Sequence, residues 1–154
     1  MKRTIFALAL VLAGPAAVAQ RAPAYGPPIK LDAARSLVDR AIKAASSGGF
    51  RMAVAIVEPS GELVAFARMD DTQYGSIKVA QRKAWTAARY REATSELEKR
   101  VLAGRTVSLA NDDSLPIAGG IPIVDDGRIV GAIGVSGGAA SEDDAVARKA
   151  LESR

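Results

Sequence analysis

Residues Gly119 to Asp144 read GGIPIVDDGRIVGAIGVSGGAASEDD. Two apolar runs, Ile121–Val124 and Ile129–Val135, flank Asp125-Asp126-Gly127, and an Asp-Gly pair between hydrophobic runs is a strong signal for a tight hairpin turn. The second run is studded with Gly131, Gly134 and Gly137. Glycine weakens a strand, because it has no side chain to pack and loses the most backbone entropy on folding. Two physical uses justify it. At Gly131 and Gly134 a helix can approach the sheet closely; at the strand ends, Gly119-Gly120 and Ser136-Gly137-Gly138 can present bare N–H groups to a carboxylate, as backbone nests do.

The hairpin has a counterpart upstream. Met52–Val57 is apolar without alternation, which predicts a strand buried on both faces, EPSG supplies turn chemistry, and Leu63–Ala67 continues as its partner. Ala34, Leu37, Val38, Ala41, Ile42 and Ala45 recur at helical spacing and are followed by Gly48-Gly49, predicting an amphipathic helix with a glycine stop. Between the hairpins, Ser76 is placed to cap a helix whose apolar positions are mostly alanine, and Ser95-x-x-Glu98 reads as a capping box for a second helix closed by Gly104. RTVSLANDDSLP, residues 105–116, has no period and reads as a surface loop. A last helix begins near Ser141, whose S-x-x-D pattern with Asp144 resembles a capping box, and turns Val146, Ala150 and Leu151 inward. Two consecutive hairpins without βαβ alternation predict an α+β fold with one mainly antiparallel sheet and helices packed on it.

The termini and composition bound the function. Lys2 and Arg3, the apolar run Ile5–Leu12, and small residues at Ala17 and Ala19 have the form of a secretory signal ending at residue 19. The expected mature chain is periplasmic or secreted, with no membrane span. Residues 20–30, QRAPAYGPPIK, read as an extended arm acting as a tether, or alternatively as a segment whose Tyr25 and Pro27-Pro28 pack on a neighbouring subunit. Residues 31–154 form one domain. The formal charge of +4 falls to +2 without Lys2 and Arg3, and the bases are interspersed with acids, which argues against nucleic acid as a partner. The sequence contains no cysteine and no histidine, which removes zinc sites built on imidazole, the Ser-His-Asp triad and Cys-His catalysis.

Three elements together carry a resemblance: MAVAIVEPSGELVAFARMDD from Met52, K-A-x-T-A at Lys83–Ala87, and G-A-I-G-V-S-G at Gly131–Gly137. In this order they resemble the GlcG/HbpS family of heme-binding-like proteins, which includes the C-terminal domain of PduO-type proteins. The similarity covers Leu31 to Leu151. It implies a profilin-like or PAS-like fold with an antiparallel sheet of about five strands, homo-oligomers, and a small anionic ligand or heme as the bound partner. This chain departs from the family pattern in offering no histidine to heme iron. The remaining candidate ligands are Met52, Met69, Tyr25, Tyr74, Tyr90, a lysine or a hydroxyl.

The resemblance highlights Lys83 and Thr86, which sit among small residues, with Tyr90 seven residues beyond Lys83. The expected ligand site is therefore Lys83, Thr86, Tyr90, Gly119, Gly120, Ser136 and Gly137, with Lys83 pairing an anion. Lys83 has a structural alternative, an ion pair with Asp70 or Asp144. Lys78, Arg82 and Arg89 read as a solvated basic face. Arg68-Met69-Asp70-Asp71 reads as a solvated turn, with weak oxygen ligation of iron as its functional alternative. Ser136 has no histidine to activate it, so only Lys83 could assist it as a nucleophile. The leading function is an exported small-ligand or heme-binding protein without histidine ligation. The alternative is an enzyme or accessory subunit acting on small hydroxy- or keto-acids, with Lys83 as acid, base or anchor.

Overall fold

The structure is a computed structural model and describes residues 22–152; the leader read over residues 1–19 lies outside the described residues. The elements in order are α1 (Leu31–Ser47), the hairpin β1 (Ala53–Val57) and β2 (Leu63–Arg68), α2 (Gly75–Tyr90), α3 (Thr94–Leu102), a 3-10 turn (Thr106–Ala110), the hairpin β3 (Gly120–Asp125) and β4 (Arg128–Ser136), and α4 (Ala140–Glu152). The α+β class holds. The sheet has four antiparallel strands in the order β2-β1-β4-β3, against an expectation of about five. Among the described residues no helix is long and apolar enough to cross a membrane.

Each strand hands its alternate side chains to two very different layers. Val54, Ile56, Ile121, Ile123, Ile133 and Val135 face α1 and α4 and fill one core with branched side chains. Ala53, Ala55, Val57 and Ala132 face the alanine stripe of α2, Ala80, Ala84, Ala87 and Ala88. The glycines belong to this second face. Gly120 and Gly134 are directly opposite each other across β3 and β4. A Cβ on Gly134 would lie 2.0 Å from the Ala80 carbonyl oxygen, and one on Gly120 would lie 2.3 Å from that of Lys83. The α2 backbone rests on bare sheet, which is what the strand entropy was traded for. Gly131 does otherwise: its missing Cβ faces Val57 O at 2.3 Å and Ile29 Cγ2 at 3.1 Å, away from α2.

The β3–β4 turn has positive φ at Asp126 (45°) and Gly127 (69°), the backbone twist that a two-residue hairpin favours. The arm does not hang free. Gly26 and Ile29 donate their N–H groups to Ile129 O and Val130 O, both at 2.8 Å, and Ile129 donates to Ala24 O at 2.9 Å. It thus pairs with the start of β4, whose ladder with β1 begins at Ala132. Tyr25 Oη donates to the α2 carbonyls of Ala88 and Arg89, at 3.2 and 2.9 Å.

The three serine caps read from the sequence are not used as caps. α2 and α3 begin two residues earlier than caps at Ser76 and Ser95 would place them, at Gly75 and Thr94, with no side-chain cap bond at either. Ser76 is buried against Ser136, and Ser95 Oγ accepts from Arg148 Nη2 at 3.3 Å. Glu98 accepts the Ala118 N–H at 3.3 Å, and Asp144 pairs with Arg148 at 2.7 Å. At α4 the capping groups are Glu142, which accepts from Ala139 N–H at 2.8 Å, and Asp143, which accepts from Gly138 N–H at 2.9 Å.

Candidate functional site

Lys83, Thr86 and Tyr90 recur at i, i+3 and i+7 on α2 and so share one face. Each holds a different part of the chain. Lys83 is 1% exposed; its Nζ donates to Asp143 Oδ2 at 2.6 Å and to Val135 O at 3.2 Å. Thr86 Oγ1 donates to Arg82 O at 2.7 Å and accepts the Leu115 N–H at 2.9 Å. Tyr90 is 38% exposed, and its Oη accepts from Asn111 Nδ2.

The glycine ends converge on the same ion pair. Gly119 has φ +120°, and a Cβ there would come within 3.0 Å of Lys83 Nζ. Gly120 N–H donates to Thr94 Oγ1 at 2.8 Å. Gly137 lies against Arg51 O and Met52, and Gly138 N–H points at Asp143 Oδ1. The lysine and the glycine nest do meet a carboxylate, and it is the chain's own Asp143, next to the Asp144 named as an alternative partner. Burial pushes the Asp143 carboxyl above the ordinary aspartate range, by more than the Lys83 ammonium and the N–H groups of Gly138 and Gly137 pull it down. Ser136 donates to Ser76 Oγ at 3.2 Å, so the serine and the lysine have separate partners. An anchoring or acid–base role for Lys83 on hydroxy- or keto-acids is not favoured by an ammonium this enclosed.

Asp143 and Thr94 were missed from the sequence, although one had a signal. Asp143 is in phase with Val146, Ala147 and Ala150, and Lys83 is in phase with Ala80, Ala84 and Ala87. Opposite charges, each set in an apolar stripe, must find each other. Thr94 carries no comparable mark.

The open space lies at the Tyr90 end of the row. A cleft of about 590 Å³ runs between α3 and the loop after it, lined by Tyr90, Leu97, Arg100, Arg105, Val107 and Pro116 among others. Arg100 is held by Glu92, whose carboxyl that bond keeps below its ordinary value. Among the described residues the Arg105 guanidinium has no hydrogen bond or ion pair. Val107 is 72% exposed, and Leu109 also projects from this loop.

The other candidate iron ligands are differently placed. Met52 is fully buried, Met69 Sδ accepts the Met52 N–H at 3.4 Å, Tyr25 Oη donates to carbonyls, and Tyr74 lies beneath Arg68 on the surface. Lys78, Arg82 and Arg89 are exposed, with Arg89 over the Trp85 ring at 4.7 Å. Among the described residues, no group of three or more acids is placed to hold a metal ion, the Asp70-Asp71 turn included.

The sequence and the antiparallel sheet with helices on both faces are shared with known proteins. Residues 29–152 match the family described as haem degrading protein HbpS-like, and the chain belongs to that family. Protein GlcG of Escherichia coli is 37% identical over 92 residues, 60% of this chain and 69% of that protein. The crystal structure of a double mutant of HbpS from Streptomyces reticuli matches with a TM-score of 0.75 and 31% identity, covering 90% of this chain and 95% of that one. The crystal structure of a PduOC–heme complex matches with a TM-score of 0.72 and 29% identity, covering 80% and 93%.

Proposed function

We propose that this chain is an exported, homo-oligomeric heme-binding protein that holds hemin without histidine, in the cleft at the end of α2. The observation that carries the reading is Tyr90: among the described residues it lines a cleft that also offers Arg105, an arginine whose guanidinium has no hydrogen bond or ion pair there. A phenol oxygen is an established axial ligand for heme iron. Arg105 would pair a propionate, and Leu97, Val107 and Pro116 would cover an apolar face. The cleft's volume of about 590 Å³ lies within the range of roughly 300–1,000 Å³ usual for small-molecule sites. Heme bound there would supply one-electron iron chemistry. The chain's own groups would orient it and exclude water from one face. The heme complex of a structural neighbour supports the ligand class.

Hemin titration of the purified protein tests this. The expected result is saturable binding with a spectrum unlike that of bis-histidine heme. Arg105→Gln should weaken binding on the order of tenfold to a hundredfold, the worth of a charge-assisted hydrogen bond. Tyr90→Phe should change the iron spectrum, and Lys78→Ala should change neither. Equal affinities and spectra for all three variants would sink the site.

A further inference from the structure

We infer that a second cleft, between the N-terminal arm, α1 and the β3–β4 hairpin, binds a medium-chain monocarboxylate whose charged end meets Arg40. The cleft has a volume of about 550 Å³ and is lined by Pro28, Ile29, Leu37, Val130 and Leu151 together with Arg40 and others. Its long wall is α1, where Ala33, Ser36, Leu37 and Arg40 recur at i, i+3, i+4 and i+7. That spacing sets them in one stripe roughly 10 Å long. The walls are mostly hydrocarbon, which suits an unbranched chain better than a sugar or a nucleotide.

Arg40 gives the cleft its chemistry. Its Nε–H is buried without a hydrogen-bond partner, and its Nη groups make no hydrogen bond among the described residues, so they are the donors left for an anion. None of the ion pairs among the described residues includes it. The other charged residues on the lining, Lys30 and Asp125, are exposed and opposite in sign, so the lining as a whole is positive. A planar carboxylate is the natural complement of a guanidinium edge. An apolar tail on that carboxylate would occupy the hydrocarbon wall. The arm, fixed to β4 by the Gly26 and Ile29 hydrogen bonds, is what makes this a cleft instead of an open helix face.

Calorimetric titration of the full chain with decanoate tests the assignment. Saturable binding is expected, at least tenfold weaker for decanol, which keeps the tail and lacks the charge. Arg40→Gln should lower decanoate affinity at least tenfold. Ser36→Trp, a change at an exposed position of the stripe, should block binding by filling the cleft while melting stays cooperative. Tyr90→Phe should leave decanoate affinity unchanged, and saturating hemin should not displace it. Absence of saturable decanoate binding, equal affinity in Arg40→Gln, or displacement by hemin would each overturn the inference. The first two of those results leave the heme site at Tyr90 untouched.

Discussion

A glycine at the centre of a strand and a lysine at the centre of a helix look like errors in isolation, and both follow from how closely α2 lies on the sheet. Gly134→Val would drive a side chain into the α2 backbone, where even a Cβ would sit 2.0 Å from Ala80 O. Overpacking of this kind typically costs about 1–3 kcal/mol, so denaturant unfolding should show at least that loss. Lys83→Ala leaves the Asp143 carboxylate buried without its ammonium. Breaking a buried pair from one side costs about 3–5 kcal/mol, and melting at neutral pH should show it. The sign of the pH effect follows from the raised Asp143 value. The folded chain binds this proton more readily than the unfolded chain, so the contribution is full below the ordinary aspartate value and is lost as pH rises through the elevated one. Asp143→Asn removes that slope. Stability profiles of the two proteins should therefore diverge, with wild type losing ground as pH rises above roughly 4; parallel profiles would contradict the assignment.

Among the elements, those with a strong internal period were legible from sequence and those defined by a partner were not. The stripe of α1, the fully buried β1 and the Asp126-Gly127 turn each carry their instructions locally. Helix starts did not, because a serine hydroxyl near a helix end has competing partners that only the tertiary fold supplies. Ser76 found Ser136, and Ser95 found Arg148. The site was legible in the same uneven way. Lys83 and the glycine ends do meet across the sheet, but sequence could not distinguish Asp143 from Asp144 without weighing their helical phase. Tyr90 could be named, but not the cleft, since α3 and the aperiodic loop make its other walls. Thr94, at the start of α3, joins that helix to β3 through Gly120. Thr94→Val keeps the shape and strands a buried N–H, so unfolding should reveal a loss of about 1–3 kcal/mol.

The exposed Leu102, Val107 and Leu109, which are 81%, 72% and 57% accessible, fit the proposal of a chain that associates with itself. All three fall between residues 102 and 109, at the end of α3 and in the 3-10 turn, and exposed apolar side chains that lie together mark an interaction surface. Light scattering at micromolar concentration should give a mass of at least a dimer; a strict monomer would remove oligomerisation from the proposal. Export is checked separately by intact mass. Protein from the export compartment should begin at Gln20, and a mass retaining Met1–Ala19 would contradict the signal reading.

The arm fixes the order in which the molecule can be completed. Its hydrogen-bonding partners lie at Ile129 and Val130, about a hundred residues further along the chain. A polypeptide made from its N-terminus therefore carries residues 22–30 unpaired until the last hairpin has closed, and contacts of such long sequence separation form slowly. The decanoate cleft, having the arm as one wall, then exists only in the finished molecule. Any partly folded form, however much of α1 and the first hairpin it has assembled, would expose Leu37 and Ile29 to water and have no closed cleft in which to hold the acid.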